Sequence, residues 1–389
     1  MLEENTLCKH AQKDWGEYTP QDTPVILITV SNFWCIDIID EIVEFFRAPE
    51  YRKVLDNVNS QLILEYAQES FMPFLHLHVL AKLLNIHWQR ILFVSGCFNI
   101  ENLYSNWIKS EHHERSWWQE KIRVAYTSFW QTDLIKPFTG LAIENPDLQN
   151  RFYCLNSRLH SHRVFTFMQL YEHELISRGK ISMPRDIEIK RWENDVAFRY
   201  VFRTVWQDNL WRYPEYQNLE KNLDTIEQLL PLVADDIDTA TDPRCINILS
   251  PLFRNIPIAM VTETHCDKSQ AVFPTEKTWK CILYGQIFIH VSTQNFLHYL
   301  SNLGFKTFEN HYSDSFKILF DHIPNHYDRI TAAVKLLMSM CELPQEKFQE
   351  FIEKCKPDVI HNYNLLNTNV FAICSENIKK KIEDFNGST

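Results

Sequence analysis

Glycine is scarce in this chain, with only 7 in 389 residues. Neither GxGxxG nor GxxxxGK followed by Ser or Thr occurs. The backbone loops that usually cradle a dinucleotide or a triphosphate are therefore excluded. A phosphate bound here has to be held by side chains and helix N-termini. Positive charge is also short: the formal net charge is -11. That argues against a nucleic-acid partner, which needs clustered Lys and Arg, but leaves room for a local basic pocket. The 10 cysteines form no CxxC pair, and show neither zinc spacing nor a disulfide framework. Several sit in apolar runs, such as Cys281 in Lys-Cys-Ile-Leu, and read as buried thiols of a reducing compartment. No apolar run reaches membrane-spanning length. The polar, acidic start has no signal-peptide pattern. A cytoplasmic chain without a membrane span is expected.

What is present is an ordinary globular balance, 45% hydrophobic and 23% charged. A chain of 389 residues exceeds the size of one comfortable core, so two domains are expected. Short apolar runs at 24–30, 61–65, 91–94 and 122–126 predict strands. Helical spacing at 35–46 and 79–84 falls between them. A second series begins near Arg151, with strands at 152–155, 245–249, 256–261 and 287–291. Helices are predicted at 164–176 and at 275–284, the latter stopped by Gly285. The tail from Tyr327 is helical, with a break near Leu343-Pro344. Strands alternating with helices predict an α/β fold of two Rossmann-like domains, split between 1–148 and 149–389. The ligand is then expected outside the carboxyl ends of strands.

The segment most suited to chemistry is Pro274-Thr275-Glu276-Lys277, at a predicted helix start. The free N–H groups and positive dipole end there suit an anion. Lys277 adds a mobile cation, and Glu276 an acceptor for ribose or sugar hydroxyls. The competing reading is purely structural, with Thr275 capping the helix, Glu276 complementing the dipole and Lys277 in water. Upstream, Arg163 stands at another predicted helix start. Arg158, His160 and His162 crowd the same loop. The competing reading for Arg163 is a surface salt bridge.

Two motifs in this half resemble the α-1,3-fucosyltransferase family and its bacterial and phage relatives. Phe152-Tyr153-Cys154-Leu155-Asn156-Ser157, with Arg163 and Phe165 downstream, is similar to the family's strand–asparagine–loop–arginine–helix element. Val261-Thr262-Glu263-Thr264 stands where the family has phenylalanine-glutamate-asparagine-serine. Pro274-Thr275-Glu276-Lys277 matches its valine-threonine-glutamate-lysine, and 287–291 the following strand. Glu263 occupies the asparagine position, and the spacer is longer than the family's. The likeness covers about residues 150–310. It implies a GT-B-type glycosyltransferase that binds a nucleotide-diphosphate sugar, with GDP-fucose as a candidate donor. The donor residues it implies are Asn156, Arg163, Glu263, Thr275, Glu276 and Lys277. It implies an acceptor-side domain at 1–148, followed by the donor domain with its C-terminal helices.

The chemistry so implied is inverting displacement by a glycan or other hydroxyl acceptor, with no metal and no cofactor beyond the donor. A carboxylate of the N-terminal half then serves as general base. Glu69, after the second predicted strand, is the first candidate and Glu101 the second. The alternative is a non-catalytic nucleotide-sugar-binding or structural protein that retains the fold. Asp236-Ile237-Asp238 spells a metal-binding DxD but is common by chance in polar loops. His76-Leu77-His78 puts both imidazoles on one face if the run is extended. Surface or satisfied histidines are the plainer reading.

Overall fold

A computed structural model of the chain describes residues 25–29, 36–66, 72–110, 121–126, 141–187, 196–209, 221–234, 255–266, 271–312, 320–368, 378 and 380–384. The chain divides into two compact units. One is Met1–Thr132 with Ala271–Phe273 and Asn369–Thr389; the other is Asp133–Gln270 with Pro274–Thr368. Both carry a four-stranded sheet.

In the first unit the elements run β1 (Val25–Thr29), α1 (Ile36–Phe45), α2 (Pro49–Asp56), β2 (Gln61–Tyr66), α3 (Phe74–Leu84), β3 (Ile91–Ser95), α4 (Ile100–Ser110) and β4 (Arg123–Tyr126). Every pairing is parallel, in the order β1-β2-β3-β4. All five residues of β3 are buried, as expected of a central parallel strand covered on both faces. Ile63, Leu92, Val94 and Ala125 from neighbouring strands form a core with Ile378 and Ile382. Strand order follows sequence order here, so the described strands contain no reversal. The run His76-Leu77-His78 is helical rather than extended. Leu77, Leu80, Ala81 and Leu84 make the buried stripe of α3, a period-3.6 pattern that outweighs the local alternation. Residues two apart on a helix face different ways. His78 is buried with Nε2 2.9 Å from the Tyr104 hydroxyl, and His76 is half-exposed.

The second unit runs β5 (Phe152–Leu155), α5 (Ser161–Glu172), β6 (Gly179–Ser182), β7 (Asp186–Ile187), β8 (Val196–Ala197), α6 (Phe198–Asn209), α7 (Leu223–Leu229), β9 (Ile258–Thr262), α8 (Glu276–Leu283), β10 (Ile287–Val291), α9 (Phe296–Asn302), α10 (His326–Glu342) and α11 (Gln345–Thr368). Its main sheet has the order β10-β9-β5-β6 and is parallel throughout. From β5 the chain moves outward to β6, then returns to the other side of β5 with β9 and continues to β10. The strand order therefore reverses between β5 and β9. α10 packs on α5, and α11 on α8. The mixed α/β class with a Rossmann-like parallel sheet in each unit is thus the architecture observed.

Several boundaries differ for local reasons. α5 ends at Glu172 rather than at 176, because Glu174 adopts φ 56 and opens a 3-10 turn over Leu175–Arg178. β6, with the sequence Gly-Lys-Ile-Ser and one fully buried residue, carries no apolar signal. The predicted strand at 245–249, the DxD and Glu69 lie outside the described residues. α8 stops where Gly285 takes φ +65, and a Cβ there would stand 2.6 Å from Leu141 Cδ2. Among the described residues, no helix is long and apolar enough to cross a membrane.

Candidate anion-binding site

In open parallel sheets a ligand site forms beyond the carboxyl ends of the two strands where the order reverses. In the second unit that place is between Asn156, which follows β5, and Glu263, which follows β9. The Thr262 hydroxyl donates to Asn156 Oδ1 at 2.7 Å, bridging the two strand ends. The Asn156 N–H donates to Ser182 O at 3.1 Å and to Ser182 Oγ at 2.9 Å. Asn156 thus ties β9, β5 and β6 together and is itself 2% exposed.

Two helices begin at this edge. α8 starts after Thr275, whose hydroxyl accepts from the Lys277 N–H at 3.4 Å. This N-cap satisfies one of the donors that a helix start leaves without an intrahelical partner. Glu263, wholly buried, anchors the same start. Its Oε1 accepts from the Thr275 N–H at 3.2 Å, and its Oε2 from the Thr275 hydroxyl at 2.6 Å. The Thr278 hydroxyl also donates to Glu263 Oε1. Thr275 and Thr278 are three apart and so share one helix face. Both oxygens of Glu263 are engaged by this anchor.

α5 starts after His160. Arg163, in its first turn, is 2% exposed. Its Nη2 reaches the carbonyls of Thr262 and Glu263 only at 3.5 Å each, the outer limit of a hydrogen bond. Its Nε is buried without a hydrogen-bond partner. Burial pushes the guanidinium pKa below its ordinary value, against the charges of Glu263 and Glu276. His162 Nε2 lies 2.8 Å from the Glu263 carbonyl. A carbonyl only accepts, so the ring donates from Nε2. Burial, then the neighbouring Arg163 and His160, hold His162 far below the usual imidazole value, so that ring is neutral.

Lys277 Nζ forms an ion pair with Glu276 Oε1 at 3.0 Å and lies 3.2 Å from the Thr275 hydroxyl. The two charged side chains are 25% and 20% exposed, so Lys277 is not simply in water. Burial raises the Glu276 carboxyl, but the charge and hydrogen bond of Lys277, with Lys280, overcome it, and the net shift is downward. Glu276 also acts on Arg163, and both cations act on His160. Arg163 and Lys277 are thus linked through Glu276, which pairs with Lys277 and acts on Arg163.

The six residues of this half singled out from sequence divide into two layers. Asn156, Glu263 and Thr275 form a buried base, in which Glu263 bonds to Thr275 and Asn156 to Thr262. Arg163, Glu276 and Lys277 carry the charge above it. Thr278 and Ser182 were not visible from sequence as members. Only the Thr275–Thr278 spacing offered a signal. Among the described residues no group of three or more His, Cys, Asp or Glu is placed to hold a metal.

The general-base candidates belong to the first unit. Glu101 lies in the first turn of α4. Its Oε1 accepts from Lys381 Nζ at 2.9 Å, and its side chain is 52% exposed. It lines a cavity of about 450 Å³ that extends past Tyr104 and Arg123 to Lys121 and Gln89, toward the amino ends of β4 and β3. Its carboxylate is therefore held in an ion pair. Glu69 lies outside the described residues.

No protein-family profile matches the chain, and no curated protein matches it. Solved structures that it is similar to include the following two. One is an α,α-trehalose-phosphate synthase (UDP-forming) from Burkholderia vietnamiensis, at 10% identity and a TM-score of 0.39, with 84% of this chain and 69% of that chain covered. The other is an α,α-trehalose 6-phosphate synthase from Burkholderia multivorans, at 10% identity and a TM-score of 0.42, with 94% of this chain and 71% of that chain covered.

Proposed function

We propose that the second unit is the donor-binding half of a GT-B-type glycosyltransferase acting on a nucleotide-diphosphate sugar. The observation that carries this reading is the unpartnered Nε of a 2%-exposed Arg163 at the strand-order reversal. A buried cation with an unfilled donor costs free energy until an anion reaches it. The starts of α5 and α8 add their dipoles at the same place. In this reading Arg163 and Lys277 hold the diphosphate, and Glu276 meets sugar or ribose hydroxyls. Asn156, Glu263 and Thr275 position them.

The expected reaction is a single displacement. The acceptor oxygen bonds to the anomeric carbon while the carbon–oxygen bond to the diphosphate breaks, its electron pair leaving with the phosphate. A base takes the acceptor proton, for which Glu69 comes before Glu101. Arg163 and Lys277 stabilise the charge that builds on the leaving group. The sequence resemblance favours fucose as the sugar and inversion without a metal.

A thermal-shift series with GDP-fucose, other nucleotide-diphosphate sugars and the free diphosphates tests the reading. A ligand that binds only the folded chain raises its melting temperature. Failure of every diphosphate, esterified or free, would remove the donor-site assignment. Because Lys381 engages Glu101, a second reading stands beside it, a non-catalytic nucleotide-sugar binder. Donor binding with no transfer and no change on replacing Glu69 with Gln would favour that second reading.

A further inference from the structure

The cavity of the first unit has a built character of its own. Its volume of about 450 Å³ falls within the range of small-molecule sites. One wall is a single face of α4, since Glu101, Tyr104, Ser105 and Ile108 stand at i, i+3, i+4 and i+7. The start of β4 supplies Lys121 and Arg123, the turn before β3 supplies Gln89, and Lys381 and Asp384 close the remaining side. All of these residues belong to the first unit.

These walls are fastened to one another. The Tyr104 hydroxyl accepts from the Ile122 N–H at 2.8 Å, which joins α4 to the start of β4. Arg123 donates from Nε to Gln89 O at 2.6 Å, from Nη1 to Lys381 O at 2.5 Å and from Nη2 to Gln61 Oε1 at 2.7 Å. Lys381 Nζ meets Glu101 Oε1 at 2.9 Å across the top. Walls so braced hold their shape without a ligand, and binding costs little in ordering them.

The braces leave a particular set of groups over. The exposed Lys121 ammonium, the half-buried Ser105 hydroxyl and the Gln89 side-chain amide make no hydrogen bond to another described residue. Only Oε1 of Glu101 is engaged by Lys381, so its second oxygen is available. Apolar Ile108 lies beside them. Donors and acceptors mixed in so small a space match a polyhydroxylated molecule, because each hydroxyl both donates and accepts. Glu101 and Lys381 neutralise each other, and Arg123 is held by three acceptors with the charge of Asp384 acting on it. Lys121 is then the cation left to meet an anionic substituent.

We infer that this cavity binds a small sugar bearing one anionic group, a phosphate or a carboxylate. Lys121 meets the anionic group. Ser105, Gln89 and the second Glu101 oxygen bond the sugar hydroxyls, and Ile108 covers ring carbons. Lys121 and Gln89 stand at the amino ends of β4 and β3, whereas parallel sheets place their reacting ligands beyond the carboxyl ends. The cavity therefore recognises its sugar and does not transform it, and no residue of the second unit takes part.

The test uses the full chain and saturation-transfer NMR, with glucose 6-phosphate, glucuronate, glucose and inorganic phosphate as probes. At least one of the two charged sugars should bind, and the tighter of them tells phosphate from carboxylate. Its binding should persist in Arg163→Met, which separates this cavity from the donor site. Lys121→Met, a change at an exposed position, should weaken the charged sugar by roughly tenfold. Ser105→Phe, which fills the cavity from α4, should abolish its binding. The inference is overturned if neither charged sugar binds, if Arg163→Met removes the binding, or if binding survives both Lys121→Met and Ser105→Phe. Inorganic phosphate binding as tightly as glucose 6-phosphate would also overturn it, since the hydroxyls would then contribute nothing.

Discussion

Arg163→Met separates a ligand-holding arginine from a structural one. Methionine roughly keeps the buried length of the side chain and removes the charge and the donors. In the free protein Arg163 has two carbonyl contacts at 3.5 Å and a buried Nε with no partner. Contacts so long contribute little. Glu263 is not left bare by the change, since Thr275 and Thr278 engage both its oxygens. The charge of Arg163 nevertheless acts on Glu263 and Glu276, and removing one member of a buried set of opposite charges is destabilising. Stability in urea should therefore fall by roughly 1–3 kcal/mol. Binding should fall as well, because a hydrogen bond to a charged group contributes roughly 1.5–3 kcal/mol. The loss in pyrophosphate affinity should be roughly ten- to hundredfold per bond removed. Urea unfolding and titration calorimetry on the same preparation measure both quantities. A loss of several kcal/mol of stability with unchanged affinity would refute the reasoning and make Arg163 a structural residue.

The remaining predictions concern the scaffold. Glu263→Gln turns an acceptor toward three donors into an amide that itself donates, and should cost roughly 1–3 kcal/mol in urea unfolding; an unchanged midpoint would deny Glu263 its anchoring role. Gly285→Ala forces a side chain into positive φ against Leu141 and should cost roughly 1–3 kcal/mol, with wild-type melting as the contrary result. His290 is 1% exposed, neither ring nitrogen has a partner, and burial lowers its pKa to about 3. The unfolded chain therefore takes up the proton first as pH falls below about 6.5, and stability drops from there toward the folded-state value. His290→Phe, placed between the rings of Phe288 and Phe296, should flatten that acid loss by roughly 2 kcal/mol at about pH 5. An identical pH profile in the variant would show that His290 is not the group responsible.

The parts of the fold legible in the sequence are those where local and tertiary demands agree. β5 is an uninterrupted apolar run and β10 one broken only by His290, and their bounds are Phe152–Leu155 and Ile287–Val291. α8 announces itself at both ends, with Thr275 as cap and Gly285 as stop. β6 does not, because Gly-Lys-Ile-Ser is recruited by its partner β5 and not by its own pattern. Helix starts with nearby cations were visible at Arg163 and Lys277, since a helix N-terminus can be read from neighbours in sequence. The connection between them was not. Glu263 and Thr275 are separated by 12 positions, a spacing with no regular-structure meaning. They meet because β9 ends where α8 begins, a fact of topology alone.

That meeting explains the asymmetry of the site. A buried guanidinium needs compensating charge, and Glu263 and Glu276 supply it. A carboxylate paired directly with the guanidinium would also fill its donors and close the position to a ligand. Here Glu263 is turned toward Thr275 and Thr278, and Glu276 toward Lys277. Their charge reaches Arg163 while their oxygens are engaged elsewhere. The cation is thus balanced electrostatically and left short of hydrogen-bond partners, the two conditions under which a buried arginine can persist without a ligand and still receive one. The same separation makes Glu263 more sensitive than Arg163 to substitution. Losing Glu263 loosens the start of α8 and removes part of the charge that balances Arg163, whereas losing Arg163 removes a balancing charge but leaves the bonds of Glu263 to Thr275 and Thr278 in place.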